Sequence, residues 1–220
     1  MYLNRSSLVE DSDLLRSGKI ELHEYIEKYL ERLEQIEPII QAFVAQDDLR
    51  SRLNQEAVKV KSTYPNPKDR PPLYGIPVGI KDLIHVSGFL TRAGSNLPPQ
   101  IITGEEASIV SDLRAQGALI AGKTATEEFA YQGVIPTRNP HNINHSPGGS
   151  SAGSAASVAA GICPLAIGTQ TLRSVIAPAS YCGVVGYKPS YARIPITGTI
   201  FCSSSKSTEA ELLQANITAN

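Results

Sequence analysis

The stretch that most restricts what this chain can become is His145 to Pro189, HSPGGSSAGSAASVAAGICPLAIGTQTLRSVIAPASYCGVVGYKP. Small residues dominate it. Gly148, Gly149, Ser150, Ser151, Ala152, Gly153 and Ser154 come first, and Ala155-Ala156-Ser157-Val158-Ala159-Ala160 follows. Bulky core residues are scarce, so ordinary side-chain packing does not explain it. Glycine lets backbone amides approach a ligand and reach positive φ. Serine brings hydroxyls that donate, accept or attack. The segment therefore reads as a site made of backbone amides and hydroxyls. Gly/Ser-rich runs are also the usual composition of linkers. Here the alanines favour a buried, closely packed helix instead. Leu165-Ala166-Ile167 then reads as a strand, and Gly168-Thr169-Gln170-Thr171 as a polar turn leading to Ser174.

A chain of 220 residues is one domain of ordinary size or a large piece of a bigger one. Its hydrophobic share of 41% and charged share of 19% suit a globular protein. A net charge of −1 carries no electrostatic footprint for nucleic acid or an anionic membrane. No apolar run reaches the length of a membrane span, because Gly161 and Pro164 interrupt the best one. The first residues, MYLNRSSLVED, lack the apolar core of a signal peptide. Cys163, Cys182 and Cys202 form neither a disulfide framework nor a metal pattern. These features point to a reducing, cytoplasmic setting. Two sequons, at Asn4 and Asn216, are then chance matches.

Taken in order, Ile20 to Ile36 is an amphipathic helix, with Leu22, Tyr25, Ile26, Tyr29, Leu30, Leu33 and Ile36 at three- and four-residue steps. Pro38 is expected to stop it. Ile39 to Val44 reads as a short strand, and Asp47 to Lys61 as a second helix capped by Asp47 or Asp48. Thr63 to Pro72 is a proline-rich loop. Tyr74 to Asp82 reads as a buried strand ending in the charge pair Lys81-Asp82. Glu106 to Gln116 is helical, with Gly117 at its C-terminal end. Ala118 to Ala121 is a strand, Thr126 to Tyr131 a helical turn, and Asn139 to Asn144 a loop. Cys182 to Gly186 reads as a further strand. Alternating helices and short apolar strands predict an α/β fold.

Three groups of residues compete for chemical roles. Gly117 to Thr124, GALIAGKT, matches the phosphate-binding pattern G-x-x-x-x-G-K-[ST]. A phosphate cradle needs a strand before the first glycine and a helix after the lysine. The context here is helix, turn, strand, with Lys123 at the strand exit. His23, His85, His141 and His145 lack zinc spacing, and no histidine sits beside Ser174 in a local signature. Lys81 follows an apolar strand. Lysines usually decorate surfaces. A buried one is pushed toward its neutral form and can then act as a general base where no histidine serves.

Together these pieces resemble the amidase signature family. The blocks that carry the resemblance are Gly75 to Asp82, Gly122-Lys123-Thr124, Pro147 to Ala155, and Cys182 to Pro189. The likeness runs from about Leu14 to Gly198. It implies a mixed sheet flanked by helices, incomplete at the C-terminus. It divides the chain into an N-terminal helical region, 1–72, a partial core, 73–198, and a non-matching tail, 199–220. It implies an amidase that cleaves carboxamide C–N bonds through a Ser-Ser-Lys triad and an acyl-enzyme. Lys81 is then the base, Ser150 the bridging serine on a cis peptide, and Ser174 the nucleophile. The backbone amides of Thr171, Leu172, Arg173 and Ser174 would hold the oxyanion. No metal or cofactor takes part. The substrate is a small-molecule amide. A homodimer or a complementing C-terminal half would be the protein partner.

The chain departs from the family pattern beside the nucleophile. Leu172 and Arg173 replace two glycines. A side chain at a position needing positive φ costs about 1–2 kcal/mol. Losing one oxyanion donor costs about 10²–10³ in rate. Ile176 and Ala177 stand where an arginine usually follows. Two alternatives therefore accompany the amidase reading. One is a catalytically inactive interaction module that keeps this fold. The other is the amidotransferase subunit that acts on glutamyl-tRNA, although Gln170 replaces the aspartate usual there.

Overall fold

The computed structural model describes residues 7–131, 133–200 and the backbone of the strand 209–214. Residues 1–6 with the first sequon, Cys202 and the second sequon lie outside the described residues.

Three helices open the chain: α1 (Leu8–Ser17), α2 (Leu22–Ile40) and α3 (Leu49–Thr63). Ser7 caps α1 by accepting a hydrogen bond from Glu10 N. In α2 the residues Leu22, Ile26, Tyr29, Leu30, Leu33, Ile36 and Ile40 are buried, as the periodicity predicts. Pro38 does not stop α2, which runs on to Ile40. The missing N–H removes a single intrahelical bond in the last turn, where tertiary packing of Ile40 outweighs it. The chain then turns through Gln41 at φ +54°. The Glu37 carboxylate accepts from Ala42 N (3.0 Å) and Phe43 N (2.8 Å). The expected strand 39–44 is thus a helix end followed by one antiparallel bridge, Phe43 to Thr124.

The sheet is built from β1 (Pro77–Lys81), β2 (Leu119–Thr124), β3 (Leu165–Gln170), β4 (Val185–Tyr187) and β5 (Glu209–Gln214), in the order β2-β1-β3-β5-β4. β1 pairs parallel with β2 and with β3, while β5 pairs antiparallel with β3 and β4. Every residue of β1, β2 and β3 is buried. That is why β2 and β3 read as short apolar runs; the stretch through β1 reads as an alternation because Gly75, Pro77, Gly79 and Lys81 interleave its apolar residues. α4 (Ser108–Ala115) leads into β2, with Gly117 at φ +82° making the turn. α5 (Ala152–Ala159) packs against β1, β2 and β3, and α6 (Ile176–Cys182) packs on α5 and β4. The result is an α/β fold with a mixed sheet flanked by helices.

Three local expectations change. The polar turn 168–171 is mostly strand, because β3 continues through Gly168, Thr169 and Gln170. Pairing with β5 satisfies its polar backbone, so polarity did not mark a turn. The expected strand 182–186 begins only at Val185, because Cys182 closes α6 and Gly183 turns the chain at φ +67°. The tail supplies β5, a strand for which the sequence carried no recognised signal.

Candidate active site

The fold brings three segments to one end of the sheet. Lys81 is the last residue of β1, and Thr169 stands near the end of its parallel neighbour β3. Ser150 and Ser151 lie just before α5, which starts at the same end. In open α/β sheets the carboxyl ends of parallel strands are where ligands bind.

Lys81 is fully buried, not a surface lysine at a strand end. Its Nζ donates to Ser150 Oγ at 2.7 Å, to Ser151 Oγ at 2.9 Å and to Thr169 O at 3.2 Å. All three acceptors are uncharged oxygens. Ser151 Oγ also donates to Thr169 O (3.1 Å) and accepts from Thr169 N (3.3 Å). This ties the serine pair to β3. The Gly149–Ser150 peptide is cis. Ser154 and Thr124 share a buried hydroxyl contact of 2.7 Å below them.

The neighbouring charges are already spoken for. Lys123 Nζ pairs with Asp82 Oδ1 at 2.8 Å, both side chains fully buried, and donates to Thr91 Oγ1 at 3.0 Å. Burial pushes the Lys123 pKa down, against the pull of the Asp82 carboxylate. Asp82 Oδ2 accepts from Arg92 N at 3.1 Å. Lys123 therefore sits inside the core beside β1, and GALIAGKT is a turn at Gly117 running into β2 rather than a phosphate cradle.

Ser174 lies half-buried on the loop between β3 and α6. Its carbonyl accepts from Ser151 N at 3.0 Å, which fastens that loop to the serine pair. Among the described residues no hydrogen bond joins Ser174 Oγ to Ser150 Oγ. The structure thus brings Lys81 and Ser150 into direct contact and sets Ser174 beside them through backbone. Leu172, Arg173 and Ser174 donate no backbone hydrogen bond to any described residue, so their N–H groups are open. Neither Leu172 nor Arg173 takes a positive φ, so the loop as folded holds both side chains without left-handed strain. Leu172 is 90% exposed and Arg173 is also exposed.

Sequence reasoning missed three residues here. Ser151 shares Lys81 with Ser150, and the repeated serine was its only signal. Gln170 Oε1 accepts from Val175 N (2.9 Å) and Ile176 N (3.0 Å), so it shapes the Ser174 loop from inside. Glu127 sits over Gly149, and its backbone N donates to Ser150 O at 3.3 Å. Nothing in the sequence separates Glu127 from its exposed neighbour Glu128.

Fold and site together define an α/β protein whose sheet ends on a buried lysine held by two serines. The Amidase family profile matches residues 24–214. The A-type subunit of glutamyl-tRNA(Gln) amidotransferase from Sulfurihydrogenibium sp. is 38% identical over 216 residues, covering 93% of this chain and 43% of that protein. The native peptide amidase of Stenotrophomonas maltophilia superposes with a TM-score of 0.85 at 31% identity, over 96% of this chain and 45% of that one. The A-type amidotransferase subunit of Thermotoga maritima gives 0.76 at 30% identity, over 95% and 43%. The chain belongs to the amidase signature family, and it spans less than half the length of these relatives. The matched range ends at residue 214, inside the tail 199–220 that reads as unlike the family.

Proposed function

We propose that this chain carries the Ser-Ser-Lys machinery of an amidase acting on carboxamide C–N bonds. The observation that carries the reading is the 2.7 Å contact between the buried Lys81 Nζ and Ser150 Oγ. With Lys81 neutral, the Ser150 hydroxyl turns to donate to the Nζ lone pair; Lys81 takes that proton, and Ser150 takes one from Ser174. Ser174 Oγ attacks the amide carbonyl carbon, and the C=O π electrons move onto oxygen. The open N–H groups of Leu172, Arg173 and Ser174 stabilise that oxyanion. Ser150 returns a proton to the departing nitrogen, and water releases the acid from the acyl-enzyme. A fluorophosphonate probe is expected to label the chain on Ser174. Labelling should vanish in Ser174→Ala and fall steeply in Lys81→Met. Undiminished labelling of Ser174→Ala would falsify the assignment.

The names of the curated relatives favour a second reading, an amidotransferase A-type subunit that needs partner chains. Its mark is co-purification with those partners and ammonia release from glutamine only in their presence. The inactive-module reading rests on Leu172 and Arg173. The double variant Leu172→Gly, Arg173→Gly discriminates it, since activity that appears only then makes the native chain a silent member of the family.

A further inference from the structure

The carboxylate of Glu127 lies against the α-carbon of Gly149. A Cβ built there would stand 2.7 Å from Glu127 Cδ and 3.2 Å from Oε2. As folded, the carboxylate occupies the space that a side chain at 149 would take. Glu127 is half-buried, and burial raises its pKa, while Lys81 and Arg173 pull it down. The carboxylate therefore lies within electrostatic reach of Lys81 and of Arg173, the residue beside Ser174.

Its hydrogen bonding sets it apart. Among the described residues the other half-buried or buried carboxylates are Asp11, Glu27, Glu37, Glu56, Asp82 and Glu106. Each accepts at least one hydrogen bond, from Tyr25, Arg50, Ala42 and Phe43, Arg114 and Ile120, Lys123 and Arg92, and Ser87 and Ser111 respectively. The Glu127 carboxylate accepts none from any described residue. Arg173 influences it through space but forms no salt bridge with it. Both oxygens reach solvent, so water serves them in the free chain and a ligand donor takes its place. The complementary ligand group is a strong donor, and a protonated amine satisfies it best.

We propose that Glu127 is a substrate-recognition residue of this site and selects carboxamides that carry a protonated amine. This rests on the amidase reading above, and it names the substrate class. The carboxamide would lie over Ser174 and the open N–H groups. The ammonium would lie over Gly149, against Glu127.

Matched ligands test this by binding alone, without turnover. The pairs are 3-aminopropanamide with butanamide, and 4-(aminomethyl)benzamide with 4-ethylbenzamide, each differing only in an ammonium for a methyl group. Ligand-observed NMR titration of the full chain should show the amine member of at least one pair binding about five-fold tighter or more. Glu127→Gln keeps the size of the side chain and removes the charge. It should bring the paired affinities within about two-fold of each other and leave the neutral members unchanged. No preference for the amine member in the native chain, no binding of either member, or a preference that survives Glu127→Gln would overturn the proposal. The fluorophosphonate experiment reports separately on Ser174. A native chain that takes no label, or a Ser174→Ala variant labelled as well as the native chain, with an intact amine preference, would therefore sink the amidase reading and not the recognition by Glu127.

Discussion

At the residue scale, the buried ionisable groups show how a helix end is tied down. Glu37 closes α2 by accepting from Ala42 N and Phe43 N, and burial pushes its carboxyl from an ordinary 4.5 up to about 7. The folded state then holds this proton more tightly than the unfolded chain does. Its contribution to stability is full below about pH 4.5 and is lost as pH rises through about 7. The loss is on the order of 3 kcal/mol. Glu37→Gln gives up one acceptor but cannot titrate. Urea unfolding at about pH 5 and about pH 8 should show the native chain losing stability across that window and the variant losing much less. Parallel losses in both would assign the dependence to other groups. Asp82 and Lys123 illustrate the opposite solution, a buried pair in which each charge answers the other. The lysine in that pair is closed to chemistry, whereas Lys81 faces hydroxyls. Two lysines with similar surroundings in the sequence thus acquire different roles from a difference of one neighbour.

At the element scale, α5 decides the site. Its first turn carries no bulky residue because it lies directly on backbone. A Cβ at Gly153 would run into Ala42 O and Ala125 N, which belong to the turn after α2 and the end of β2. Backbone atoms on both sides cannot yield as a flexible side chain would. Gly153→Ala is therefore expected to cost about 3 kcal/mol or to prevent folding. A urea midpoint close to that of the native chain would show the contact to be looser than described. The same closeness lets Ser150 and Ser151 stand within hydrogen-bond reach of Lys81. A helix held one methyl group farther out would leave the amine without them. Gln170 works in the same way for α6, since its side-chain oxygen takes the first N–H groups at that helix.

At the scale of the whole molecule, one stretch of chain remains apolar and open. Leu172, Ile176, Tyr181, Val185, Tyr187 and Tyr191 are all 40% exposed or more and fall within about twenty residues of one another. Exposed apolar surface of this kind marks an interaction face or an aggregation liability. The chain by itself should bind a hydrophobic dye such as ANS and elute early in size-exclusion chromatography. Tyr181→Lys with Tyr187→Lys should reduce both effects. Dye binding that ignores the two substitutions would place the exposed surface elsewhere. Much of this architecture was legible in the sequence. Helical periodicity located α2, alternating apolar residues located β1, short apolar runs located β2 and β3, and four ordered sequence blocks carried the family resemblance. Those signals are local, because an element's face is written in its own few residues. The meeting of Lys81, Ser150 and Thr169, the burial of Lys123 against Asp82 and the placement of Glu127 over Gly149 were settled only by the tertiary structure. Each depends on which strands pair and how closely α5 approaches them. That choice is the sum of many weak packing terms between segments far apart in the chain, and no single stretch of residues carries it.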